Sequence, residues 1–119
     1  SIAERRPEAV LDSGAEDADP LVIGWGSTHG AIKQAVADLA TEGKKVAHLH
    51  LRQLWPLPRG LDTLMKKFPR VVTAELNSGQ LRDILRAEYL LPVEAIGQVT
   101  GQPFKVSDLR SELSRRLEG

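Results

Sequence analysis

Along the chain, short apolar runs of strand character alternate with stretches in which apolar residues recur at helical spacing. Leu21, Val22 and Ile23 follow Pro20 as a β-branched-rich run suited to a buried strand, and Ala31, Ile32, Ala35, Val36 and Leu39 then repeat with helical period. The spacing predicts a first helix from Thr28 to about Glu42, with Gly43 as its C-cap. Val46 to Leu51 alternate as a second strand, which puts His48 and His50 on the face that Val46 shares. Pro56 and Pro58 within Arg52 to Gly60 exclude helix interior and central strand, so this stretch presents Trp55 from a stiff, extended loop. Leu61, Leu64, Met65 and Phe68 make a short amphipathic helix ended by Pro69, and Arg70 to Leu76 a third strand. Asn77 or Ser78 caps the next helix, whose apolar stripe is Leu81, Ile84, Leu85 and Tyr89 and which Leu90, Leu91 and Pro92 end. Ala95 to Val99 suit a last strand, and Ser107 N-caps a final helix through Leu117. This order specifies an α/β fold, a three-layer α/β/α arrangement with a mostly parallel sheet covered on both faces.

Ser1 to Pro20 departs from this pattern. Its charged residues surround few apolar ones, and Pro7, Gly14 and Pro20 interrupt any helix, so residues 1–20 read as a solvated linker from a preceding domain into one α/β domain at 21–119. A length of 119 residues leaves no room for a second substrate domain. Sixteen basic and sixteen acidic residues cancel, so no global field draws the chain to nucleic acid or an anionic membrane surface. The absence of cysteine removes disulfides, thiolate nucleophiles and the usual iron–sulfur ligands. No apolar stretch approaches the roughly 20 residues of a membrane span and the start lacks a signal-peptide pattern, which makes the cytoplasm the expected location. A first residue that is Ser rather than Met fits a piece of a longer protein.

In parallel α/β folds ligands gather at the carboxyl ends of strands, which directs attention to two turns, Gly26-Ser27-Thr28 and Asn77-Ser78-Gly79-Gln80. Both open helices, whose N-termini favour anions, and both are candidate anion or subunit contacts. Gly24, Gly26 and Gly30 lie near the dinucleotide fingerprint, and Arg52 could meet a 2′-phosphate, so the alternative reading is a free-standing Rossmann-like NADP-binding module. Against it, Trp25 puts bulk inside the turn, the third glycine comes one position late, and the second strand ends without a ribose-binding acid. The plain reading is that these glycines pack helix against strand. A metal site would take His29, His48 and His50, but no Asp, Glu or Cys falls at ligand spacing beside them, and they are expected to be hydrogen-bonded or interface residues. No catalytic, cofactor-binding or metal-binding residue is assigned.

The blocks GWGSTHG, HLHLRQLWPLP, ELNSGQLRDILRAEYL and TGQPF, in this order from about Leu21 onwards, resemble the C-terminal part of the alpha subunit of 2-oxoacid:ferredoxin oxidoreductases, most closely the 2-oxoglutarate enzyme. They are also similar to the C-terminal domain of transketolase. The resemblance implies a transketolase C-terminal-like domain with five strands, one edge strand antiparallel. It further implies a parent enzyme that decarboxylates a 2-oxoacid on thiamine diphosphate and magnesium, passes electrons through an iron–sulfur cluster to ferredoxin, and transfers the acyl group to coenzyme A. Within it this piece would be a structural, subunit-contact domain, inactive alone, meeting the rest of the alpha subunit and the beta subunit, with ferredoxin and coenzyme A as partners of the whole complex.

Overall fold

The structure, a computed structural model, describes residues 8–14, 17–52, 57–75, 80–97 and 106–118. Four strands and four helices alternate: β1 (Leu21–Trp25), α1 (His29–Thr41), β2 (Ala47–Leu51), α2 (Leu61–Met65), β3 (Val71–Glu75), α3 (Gln80–Tyr89), β4 (Val93–Gly97) and α4 (Val106–Glu118). The strands form one sheet in the order β2-β1-β3-β4, every pairing parallel, with Leu21 opposite both Ala47 and Val71, and Val71 opposite Val93. Residues 21–24 of the central β1 are buried without interruption, as a strand covered on both faces must be.

Alternation along the strands divides the core in two. Leu21, Ile23, Ala47, Leu49, Leu51, Val71 and Val93 pack with Leu61, Leu64 and Met65 of α2 and Leu81 and Leu85 of α3. On the opposite face Val22, Val46, Val72, Ala74 and Ile96 pack with Ile32, Ala35, Val36 and Leu39 of α1 and Leu109 and Leu113 of α4. The three-layer α/β/α fold with a parallel sheet is therefore the one the apolar spacing predicts. Helix α1 stops where expected. Gly43, at φ +77°, donates to Ala40 O at 3.1 Å, and Lys44 N donates to Leu39 O at 3.0 Å, the paired bonds of a glycine-stopped helix.

Several boundaries differ. β4 begins at Val93, directly after Pro92, rather than at Ala95, because Val93 is fully buried and pairs with Val71. Ser107 lies inside α4 rather than ahead of it as its N-cap, since the helix starts at Val106. The proposed caps Asn77 and Ser78, the Trp55 presentation and the end of the last predicted strand at Gln98 and Val99 fall outside the described residues. Among the described residues the sheet has four strands, none antiparallel.

The stretch read as a solvated linker makes contacts in its described part. Asp12 N and Ser13 N donate to His48 O at 2.7 and 3.2 Å, His48 N donates to Ser13 O at 3.0 Å, and Ala9 N donates to Arg59 O at 2.8 Å. This edge segment, 8–14, thus lies against β2, with a single antiparallel bridge at Ser13 and His48. Ala18 is 2% exposed in the α2–α3 core, Ala9 and Leu11 pack against that core, and the Arg70 guanidinium donates to Asp19 at 2.9 and 3.1 Å. Of the few apolar residues in the described part of 8–20, Ala18 is buried and Ala9 and Leu11 pack against the core, while Val10 is 69% exposed.

Candidate functional site

The strand order places β1 and β3 side by side, with the chain leaving β1 toward β2 on one side and β3 toward β4 on the other. The carboxyl ends of β1 and β3 flank this reversal, the place where open α/β sheets take ligands. Gly26, Ser27 and Thr28 form a short helical turn at the end of β1, with Gly26 at φ +72°. Gln80 begins α3. Asn77, Ser78 and Gly79 lie outside the described residues, and for Ser27 and Gln80 the description stops at the backbone.

Thr28 occupies the N-cap position of α1, yet its hydroxyl takes no helix N–H. It is 2% exposed, and its oxygen lies 3.1 Å from Trp25 O and 3.4 Å from Ala74 O, so its one proton serves these two carbonyls. Its hydroxyl instead straps the β1 turn to the end of β3. Gly24 answers the glycine question: a Cβ there would meet Ile32 Cδ1 at 2.3 Å, His50 Nδ1 at 2.8 Å and Thr28 Oγ1 at 3.1 Å. It packs helix against strand as expected. Gly26 and Gly30, with nothing within 4 Å of the same position, do not.

The three histidines converge beside this turn. His48 and His50 share a face of β2, as alternation predicts, and His29 starts α1; ring centroids lie 5.3 Å (His29–His48), 4.8 Å (His29–His50) and 5.5 Å (His48–His50) apart. His50 Nε2 sits 3.0 Å from Gly26 O, a pure acceptor, so Nε2 carries the proton and Nδ1 presents a lone pair. His48 Nε2, 3.4 Å from that lone pair, is then a donor. Asp12 completes the cluster: Oδ1 accepts from His50 N at 2.8 Å and Oδ2 faces His29 Nε2 at 3.4 Å. His48 is 1% exposed, and burial lowers its pKa from 6.5 to about 4; Asp12 opposes this, while His50 and His29 add to it. Burial also lowers His50, against the hydrogen bond to Gly26. Both β2 histidines are neutral at pH 7. The hydrogen-bonded role expected of the histidines is what His48 and His50 show.

The acid missed in the sequence is Asp12. It sits far upstream in a stretch read as solvent-facing, and ligand-spacing arguments confined to the strand could not reach it. Among the described residues no group of three or more His, Cys, Asp or Glu side chains is arranged to hold a metal ion. No helix among them is long and apolar enough to cross a membrane. Chemically the turn offers a threonine proton already committed to carbonyls and imidazoles held neutral by burial, an arrangement that fixes the carboxyl edge of the sheet.

Residues 18–109 match the family of the pyruvate:ferredoxin oxidoreductase core domain II. The chain is 39% identical over 113 residues, 95% of its length, to the 2-oxoglutarate oxidoreductase subunit KorA of Mycobacterium tuberculosis, of which it spans 17%. The solved 2-oxoglutarate:ferredoxin oxidoreductase from Magnetococcus marinus, with 2-oxoglutarate, coenzyme A and succinyl-CoA bound, aligns with a TM-score of 0.87 and 27% identity over 98% of this chain and 21% of that one. A split-gene transketolase in an inactive beta4 tetramer aligns at TM-score 0.70 and 21% identity over 93% of this chain and 41% of that one, a likeness of fold.

Proposed function

We propose, from the premise that this chain belongs to the pyruvate:ferredoxin oxidoreductase core domain II family, that it is the transketolase C-terminal-like domain of a 2-oxoacid:ferredoxin oxidoreductase alpha subunit. The oxoacid is 2-oxoglutarate, and the parent enzyme converts it to an acyl-CoA while reducing ferredoxin. The observation that carries this reading is the continuity of the family match, which runs from Ala18 through all four strands to Leu109 on α4. The chain spans about a sixth of its M. tuberculosis relative, so most of the chemistry belongs to sequence outside it.

The residues of this chain support a structural role within that enzyme. An iron–sulfur cluster does not fit it, since it has no cysteine, and the described residues hold no acid or histidine group suited to a thiamine-bound magnesium ion. These groups, with coenzyme A, belong to other domains of the alpha subunit and to the beta subunit, in a complex working in the cytoplasm. Residues 1–20 connect a preceding domain to this one. The turns 26–28 and 77–80 are its contact surface toward the neighbours, Gln80 offering an amide that both donates and accepts.

The test is reconstitution. The full-length alpha subunit with its beta subunit should reduce ferredoxin or a viologen with 2-oxoglutarate and coenzyme A, and the 119-residue chain alone should not. Turnover by the chain alone would overturn the structural role. A complex that uses pyruvate and not 2-oxoglutarate would overturn the substrate and leave the domain reading standing. Gln80→Ala should weaken subunit affinity or turnover of the complex while leaving the melting point of the isolated chain nearly unchanged. Unchanged affinity and turnover would remove the contact role of that turn.

A further inference from the structure

We propose that His29, His48, His50 and Asp12 form an acid-operated latch, which holds residues 12–13 and the Gly26 turn on the carboxyl end of β2 while uncharged and releases them when the cluster takes up protons. The inference rests on the atoms of the cluster and is independent of the family reading. Asp12 and Ser13 reach the β2 edge through His48 and His50: two N–H groups donate to His48 O, His48 N donates to Ser13 O, and His50 N donates to Asp12 Oδ1. The ring of the same residue donates from Nε2 to Gly26 O. His50 therefore holds the edge segment through its backbone N–H and the candidate turn through its imidazole.

The lock works in a single protonation state. With its Nε2 proton committed to Gly26 O, His50 can take a second proton only at Nδ1, which would turn N–H toward the N–H of His48 and end that contact. A proton added to His48 would place a cation at a residue 1% exposed. Among the described residues, the titratable and charged groups that bear on the two β2 histidines are Asp12 from the edge segment, His29 from α1 and each other; the turn after β1 contributes the Gly26 carbonyl. Asp12, whose Oδ2 lies 3.4 Å from His29 Nε2, is the one carboxylate among the described residues that bears on the cluster, and one carboxylate can balance one imidazolium. A second imidazolium with its ring centre no more than 5.5 Å away has no counter-charge left. Burial displaces both β2 histidines downward from 6.5, which sets release below that pH. Release would free the Gly26 carbonyl and with it the turn at the sheet's carboxyl end.

Hydrogen exchange of the 119-residue chain across a pH series, expressed as protection factors, tests the latch. Between about pH 7.5 and about pH 5, a range in which ordinary carboxylates stay mostly ionised, protection of the amides of Asp12, Ser13, His48 and His50 should fall about tenfold or more. Its midpoint should coincide with the NMR titration midpoint of the His50 ring, while amides at the centre of β1 and β3 change less than about twofold. The His50→Gln variant keeps a donor for Gly26 O and cannot charge, so its loss of protection at about pH 5 should shrink to less than about twofold. His29→Gln alters an exposed ring and removes one like charge that holds His50 down, so protonation of His50, and with it release, should move to higher pH in that variant. Flat protection in the wild type, separate midpoints, a full loss in His50→Gln or an unmoved release in His29→Gln would each overturn the proposal. If His50→Gln does not fold, the wild-type midpoints and His29→Gln decide.

Discussion

Gly24 shows how one missing side chain can serve three neighbours. A methyl group there would lie within 3.1 Å of Ile32, His50 and Thr28 at once, and none of these can withdraw freely: Ile32 is core, His50 is bonded to Gly26 and Thr28 to two carbonyls. Gly24→Ala is therefore expected to destabilise the chain by about 1–3 kcal/mol in urea unfolding. Gly30→Ala, on the exposed side of α1 with open space around it, should be neutral or stabilising by up to about 1 kcal/mol. Equal costs for the two would refute the packing account. His48 carries the pH dependence. Unfolded, it takes a proton near 6.5; folded, near about 4, because burial disfavours the cation. Between those values the unfolded chain binds more protons, so stability is full above 6.5 and falls as pH drops toward about 4. The displacement corresponds to roughly 3 kcal/mol at the acid end. Burial of His50 adds in the same direction. Urea midpoints measured along this range should fall less steeply for His48→Gln than for the wild type; parallel slopes would refute the assignment.

Elements with a strong period and clear end signals were legible in advance. Helix α1 is the plainest case: of its predicted stripe, Ile32, Ala35, Val36 and Leu39 are buried and Ala31 partly so, and Gly43 is its stop. Because Gly43 sits at φ +77° with nothing within 4 Å of a built Cβ, Gly43→Ala should cost about 1–2 kcal/mol of chain stability through backbone strain alone. A loss well below this in thermal melts would mean the helix end rearranges. The β4 boundary was misplaced because Pro92 drew attention to the end of α3, although Val93, Ala95 and Gly97 already keep the period of the strand that begins there. The role of the Thr28 hydroxyl was hidden for a different reason. A threonine at a helix start is by rule a cap, but here the carbonyl of Ala74, on a strand 46 positions away, lies within reach of its hydroxyl. The edge segment was invisible for the same cause. Nothing in the spacing of Ala9, Leu11 and Asp12 announces β2, because the partner edge exists only once the sheet has formed. Local pattern specified the elements, and contacts distant in sequence specified the site.

At the scale of the whole molecule, two apolar cores share one sheet, and the sheet makes them a single cooperative unit. Leu21 and Ile23 face α2 and α3 while Val22 between them faces α1 and α4, and all three are fully buried. Loss of either helical layer would leave a β1 side chain uncovered, so neither layer can depart alone without weakening the strand that serves both. Leu85 on α3 and Leu113 on α4, both fully buried on opposite faces, allow the coupling to be measured. Leu85→Ala and Leu113→Ala should each cost about 2–5 kcal/mol. In both variants far-UV circular dichroism and the fluorescence of Trp25, made the sole tryptophan by Trp55→Phe, should report one coincident transition. Trp25 lies at the end of β1, half-buried and packed against the α2–α3 core, so for Leu113→Ala it reads damage from the far side of the sheet. If helical signal in Leu113→Ala were lost at lower denaturant than the Trp25 signal, the α1–α4 layer would unfold by itself and the shared strand would not be the coupling element. Coincidence in both variants would locate the cooperativity of the domain in β1, the strand whose carboxyl end also carries the candidate turn.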